Sequence, residues 1–494
     1  MSAKAIAATQ ETWMVRAKTL AWPGVAIAMV LIASACSSGS GDSTVDSGSP
    51  VTSTQPTSTQ SADDIFGDAT TTTTAAPNPC STLPPEATDI GITADTITLL
   101  AAADVQIPIA PGLFKDAWDG VQAWADYINA RGGLACRHVE IIKFDTMLSP
   151  NESVNAQITA CEKALAMVGT TSLFVFDTDP MNSCPDAAGN PIGIPDIAQI
   201  TTETTHQCSP NTFPIVAPQG ACPYDGGPRE FIERVGEIKY FQENVDPDLR
   251  GVFLVPGDLP SIRQANITTI RAMEEAGVEN VGEYTVGGSD LQPVFTPFVQ
   301  AIADNNANFA RTGSNDQSLV KWRSEAVAQG VDAEIWECTI SCYTQSIFEA
   351  GGDVVEGTYL TIFSVPFEEA DTNDELQAYV DSVANPAAFG LNAWAAGVMI
   401  EDAVNAVVDR GDVNSITRES LLAELATVTA FDAHGMLGVT NPAGKVSGPC
   451  FAVIQIQDGK FVKVHPKARG VLDCDSANIH AITLDAAIES EKLG

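Results

Sequence analysis

Residues 96–145 constrain the fold of this chain more than any other stretch. Residues 96–103 are a short apolar run rich in β-formers, the pattern of a buried strand. After a loop containing Pro108, Pro111 and Gly112, Phe114, Trp118, Val121, Ala125 and Ile128 recur at steps of four and three, which puts them on one helix face. Arg131-Gly132-Gly133 ends that helix, because glycine takes a left-handed cap conformation without steric cost. Residues 139–145 are a second strand. Strand, helix and strand at this length make a right-handed βαβ unit with parallel strands. Ligand contacts in such sheets come from loops at the carboxyl ends of the strands, here 104–112 and 145–150.

The alternation continues along the chain. Helix 153–164 leads to strand 165–169, and a short strand at 194–198 runs into Thr201, Thr202, Glu203 and Thr204. A second series starts with a helix over 228–242. It continues with strand 250–256, helix 261–275, strand 281–286, helix 293–303, a weak strand 309–313, helix 317–329 and strand 333–337. A strand over 354–363 and a long helix over 392–408 follow. Residues 453–457 and 461–464 then form a hairpin with Asp458-Gly459 as its turn. Two successive α/β series predict two doubly wound lobes. The chain has 494 residues, too many for one core.

The N-terminus sets the compartment. Lys4, Arg16 and Lys18 precede an apolar run over 25–35 that ends in Ala33-Ser34-Ala35-Cys36. A basic start, a short apolar core and small residues describe a secretory signal over 1–35, too short to span a bilayer. The cysteine after the small residues resembles the lipobox of bacterial lipoproteins, which makes Cys36 the lipidated mature N-terminus. Ala33 stands where leucine is usual, and an ordinary signal cut near Ala35 is the alternative. Met14 would make a more compact start than Met1. Residues 36–89, dominated by Ser, Thr, Gly, Pro and Asp, read as a disordered tether. Extended, it reaches on the order of 100 Å at ~3.3 Å per residue.

Net charge is −38, which argues against nucleic acid as a partner and against attachment to anionic lipid by charge. Eleven cysteines suit an exported protein, and setting Cys36 aside leaves an even set of ten. Local spacing suggests Cys208–Cys222, Cys338–Cys342 and Cys450–Cys474, with Cys161–Cys184 and Cys80–Cys136 completing the set. Spacing alone does not fix connectivity. A metal or redox site at Cys338 and Cys342 competes, without a nearby histidine to support it.

The strand 97–103, the helix ending Ile128-Asn129-Ala130-Arg131-Gly132-Gly133 and the strand ending in Asp145 resemble the type I periplasmic binding proteins. The likeness is greatest to the branched-chain amino acid-binding subfamily of ABC transporters, and it covers residues 92–464. Cys136 stands where that family usually has glycine before Arg137. Asp258-Leu259-Pro260-Ser261 replaces a common aromatic-glycine pair. The resemblance implies lobe 1 over 90–217 plus 366–430, lobe 2 over 226–363 plus 436–475, a hinge of three crossing strands, and a C-terminal tail over 476–494. It implies a ligand cleft between the lobes. An amino acid carboxylate would be held there by Thr170, Thr171, Ser172, Thr201 and Thr202, and an ammonium by Glu203, Asp258 or Asp104. Phe114, Phe174 and Trp336 would wall the apolar part. Hydroxyls after strands also serve as caps, acids as solvated surface and aromatics as core.

The resulting expectation is a lipid-anchored, extracytoplasmic, monomeric receptor that passes a small polar solute to ABC permease subunits. No cofactor, metal or catalytic residue is assigned. The chain has no Gly-x-Ser-x-Gly elbow, P-loop or Gly-x-Gly-x-x-Gly, and His138, His206, His434, His465 and His480 lack metal-ligand spacing. A surface receptor of the same fold that signals rather than delivers is the alternative, with a secreted enzyme behind it.

Overall fold

The computed structural model describes residues 83–107, 112–217, 220–257 and 260–484. The signal, Cys36, Cys80, most of the tether and Asp258 lie outside these residues.

The βαβ unit forms as its pattern dictates. Strands β1 (Thr96–Ala103) and β2 (His138–Asp145) run parallel in unbroken register, from Thr96 opposite His138 to Ala103 opposite Asp145. Helix Lys115–Ala130 between them buries Val121, Trp124, Ala125 and Ile128. Strands β3 (Ala166–Thr170) and β4 (Asp196–Ala198) complete a parallel sheet of order β2-β1-β3-β4. Helix Ala388–Arg410 packs on β3 and on helix Lys115–Ala130, and its first half, 388–400, is buried on nearly every side. The two helices touch at Gly120 and Gly390. A Cβ on Gly120 would sit 2.1 Å from the Gly390 carbonyl oxygen, so this crossing admits no side chain.

A departure from the expected pattern begins at Arg229. Residues 229–234, expected in a helix, are instead strand β5 (Arg229–Arg234), followed by helix Gly236–Asn244. Strands β6 (Arg250–Pro256), β7 (Glu279–Val286), β8 (Phe309–Thr312), β9 (Ile335–Cys338) and β10 (Tyr359–Ile362) are parallel. Strand β10 is shorter than expected, because residues 352–355 form a 3-10 turn and Gly357 takes positive φ. Strands β11 (Ala452–Gln457) and β12 (Lys460–His465) are antiparallel, extending the second sheet to the order β12-β11-β10-β9-β8-β6-β7. Asp458 and Gly459 both have positive φ, the requirement of the tight turn between these strands. Residues 476–484, expected in a tail, contain strand β13 (Ile479–Leu484), which pairs antiparallel with all of β5. The partner explains β5: Phe231 and Ile232 are the only apolar residues of Arg229–Arg234 and set neither a helix nor a strand period, so long-range pairing decides.

The chain passes between the two halves repeatedly. After β10 it returns to the first core through Val365, Ala370 and Leu376, then leaves again at Leu437. Ser364 and Leu437 pair as an antiparallel bridge, so these two crossings run side by side. Disulfides join Cys161–Cys184, Cys208–Cys222, Cys338–Cys342 and Cys450–Cys474, the three pairings suggested by spacing and one of the two that completed the set. The last joins Cys450, just before β11, to Cys474, just before β13. Among the described residues no helix is long and apolar enough to cross a membrane, and no cluster of metal-ligating side chains occurs.

Candidate ligand cleft

The carboxyl ends of the strands in both sheets open on one cavity of about 370 Å³. Its two sides differ in chemistry. The first half contributes Ile107, Leu113, Phe114, Leu148, Leu173, Ile200 and Phe389, all apolar. The second half adds apolar residues of its own, among them Ile232, Pro256, Ile262, Ile340 and Phe363, but it alone brings charge: Glu233 and Arg234 from β5, Glu237 from the next helix, Arg311 from β8 and Glu337 from β9, with Asn266, Thr269, Ser314 and Thr361 beside them.

The apolar wall is built by loops tied to one carboxylate. Asp104, fully buried after β1, accepts hydrogen bonds from Thr146 Oγ1 (2.7 Å), the Leu148 amide (2.6 Å) and the Leu173 amide (2.8 Å). These bonds fix the loops after β1, β2 and β3 relative to one another and set Leu148 and Leu173 against the cavity. Phe114 and Phe389 meet edge to face with centroids 5.1 Å apart, an arrangement that aromatic quadrupoles favour.

The polar wall is a charge network. Arg311 lies opposite Glu337 across neighbouring strands and donates from Nε to its Oε2 at 3.1 Å. Thr361 donates to the other oxygen of Glu337 at 2.9 Å. Thr269 donates to Glu233 Oε2 at 3.0 Å. The Arg234 guanidinium stacks over Phe363, 3.3 Å from the ring centroid. Glu237 is 3% exposed, and its Oε2 has no hydrogen-bond partner among the described residues. Burial pushes the Glu233 carboxyl up to about 7. Burial, reinforced by the neighbouring Glu337, pushes Glu237 up to about 8.

The structure brings few of the sequence-named residues to this cavity. Phe114 lines it. Thr170 donates to Asp196 at 2.6 Å, inside a buried group with His206. Thr171 donates to its own neighbour's carbonyl, Gly169, at 2.8 Å, and Ser172 bonds Ser153 at 2.8 Å. Thr202 donates to the Leu173 carbonyl, Thr201 is buried beside it, and Glu203 is the N-cap position of the short helix Thr204–Gln207. The hydroxyls of Thr170, Thr171, Ser172 and Thr202 therefore stabilise the first sheet's loops from within. Asp104 orders the wall as described. Phe174 stacks on Phe176 with centroids 5.7 Å apart, outside the cavity lining. Trp336 points into the core, edge-on to Trp322 at 5.1 Å, with Nε1 donating to Asp332. Strand alternation explains the last: Trp336 and its neighbour Glu337 face opposite ways, and Glu337 has the cavity side. The polar wall had a sequence signal in the charged residues set inside short, otherwise uncharged strands, at Arg311 and Glu337.

Two α/β halves whose strand ends face a shared, partly enclosed cavity define a solute-binding fold of two lobes. Residues 96–460 match the family model of the periplasmic binding proteins, and the chain belongs to that family of extracytoplasmic solute-binding proteins. Solved structures share the fold at low identity. A fatty acid ABC transporter substrate-binding protein from Thermomonospora curvata is 19% identical, with a TM-score of 0.60 over 79% of this chain and 95% of that one. A leucine-binding protein from Thermotoga maritima is 16% identical, with a TM-score of 0.54 over 74% and 97%. A branched-chain amino acid transporter substrate-binding protein from Streptococcus pneumoniae, solved with isoleucine, is 16% identical, with a TM-score of 0.55 over 75% and 100%. No curated protein matches the sequence significantly.

Proposed function

We propose that this protein is a lipid-anchored receptor that delivers an amphipathic small molecule to an ABC permease. Its two lobes, 90–217 plus 366–430 and 226–363 plus 436–475, hinge closed over the ligand. The observation that carries the reading is the split lining of the cavity. An apolar body fits against Phe114, Phe389 and Leu173, while a polar end meets the network around Glu237 and Arg311. The cavity volume lies within the usual range for small-molecule sites, about 300–1,000 Å³. Cys36 would carry the lipid and residues 36–89 the spacing from the membrane.

Thermal unfolding of the full chain against a panel of small amphipathic solutes tests the reading. A ligand at a hundred times its dissociation constant stabilises by about 2.7 kcal/mol, a shift of a few degrees. The shift should shrink in Phe389→Ala, which removes half of the aromatic pair. A folded protein that responds to nothing on the panel counts against small-molecule delivery and favours signalling or adhesion.

A further inference from the structure

If the cleft is the receptor site proposed above, the charges at its polar end select among head groups. Five ionisable side chains from β5, β8, β9 and helix Gly236–Asn244 converge there: Glu233, Arg234, Glu237, Arg311 and Glu337. Arg311 and Glu337 neutralise each other, and Thr361 completes the Glu337 carboxylate. Thr269 donates to Glu233, and Arg234 lies over Phe363. Glu237 feels the charges of Arg234, Arg311 and Glu337 but is 3% exposed, with Oε2 lacking a hydrogen-bond donor among the described residues.

Carboxylates outnumber guanidiniums in this cluster. With every group ionised the cluster holds an uncompensated negative charge, and buried charges persist only when paired. A ligand carboxylate would add a second. A hydroxyl would offer Glu237 a hydrogen bond and leave its charge unbalanced. A protonated amine supplies both the missing donor and the missing charge. We propose that the cleft selects organic amines, with the ammonium or amidinium group on Glu237 and an apolar body on the wall formed by Phe114 and Phe389. The raised pKa of Glu237 fits this reading, since a proton then occupies the empty site in place of a cation. The net charge of −38 would draw cations toward the protein as well.

Three probes of equal chain length separate the possibilities: octylamine, octanol and octanoate, titrated calorimetrically into the full chain. Octylamine should bind at least tenfold more tightly than the other two. Near pH 7 its binding should release a proton, read as a heat that depends on the buffer's ionisation enthalpy. In Glu237→Gln, checked for an unchanged circular dichroism spectrum and a cooperative melt, the advantage of octylamine over octanol should disappear. In the wild-type protein, octylamine affinity should rise at least tenfold from pH 6 to pH 9 as Glu237 ionises, a measurement that needs no variant. Octanoate binding as tightly as octylamine, or a flat pH profile, overturns the amine assignment and leaves the receptor intact. If none of the three binds to the folded protein, the receptor reading itself fails.

Discussion

At the residue scale, buried charge sets how stability follows pH. Glu233 and Glu237 titrate at about 7 and about 8 in the folded chain, against 4.5 for an ordinary glutamate. Below pH 4.5 both are protonated in the folded and the unfolded states, and burial costs nothing extra. As pH rises through 7 and 8, the folded chain must ionise carboxyls that the unfolded chain ionised earlier, so this stability is lost with rising pH. The melting temperature of the ligand-free protein should therefore fall between about pH 5 and about pH 8. Glu237→Gln should flatten the decline, and an identical slope in the variant would refute the assignment. Arg137 is a second case. Its guanidinium, 1% exposed, donates to the carbonyls of Thr93, Ala135, Val413 and Glu86. Arg137→Met should cost on the order of 3 kcal/mol in chemical denaturation, because several acceptors lose a charged donor. The loop's sharp turn also explains why glycine suits the preceding position, since Cys136 holds φ at +67°.

At the scale of elements, the strands and helices of the βαβ unit were legible because one local period governed each. Residues 96–103 carry an apolar run and 138–145 intersperse Val139, Ile141, Ile142 and Phe144 with polar residues, and nothing nearby contradicts either strand. Strand β5 was not legible. Its only apolar residues, Phe231 and Ile232, are adjacent and set no period, and its pairing partner β13 lies about 250 positions further along the chain. This pairing matters for the site, because β5 carries Glu233 and Arg234 to the cavity. Ending the chain before Ile479 should leave the β5 edge unpaired, lower the melting temperature by several degrees, and weaken binding of any cleft ligand. Binding unchanged in a stable truncated protein would show that β5 holds its register without β13.

At the scale of the whole molecule, the cavity between the two sheets makes closure a measurable event. Ligand can shift the open and closed populations only through its differential affinity for them. Addition of a cleft ligand should reduce the radius of gyration in small-angle scattering, while Phe389→Ala should require more ligand for the same change. A radius that stays constant at saturation would mean that the lobes do not close. The sequence by itself determined the α/β alternation, the parallel first sheet and the hairpin at Asp458-Gly459, and it suggested, without fixing, the disulfide partners close in the chain. Each follows from periodicity, turn chemistry or short separation, all of which are local. Only the tertiary structure decided which side chains face the cavity. Thr170, Thr171 and Ser172 sit at the expected strand end, yet their hydroxyls bond Asp196, Gly169 and Ser153. Glu237 and Arg311 become neighbours because strands and a helix from distant parts of the chain converge, and that convergence depends on how whole sheets pack.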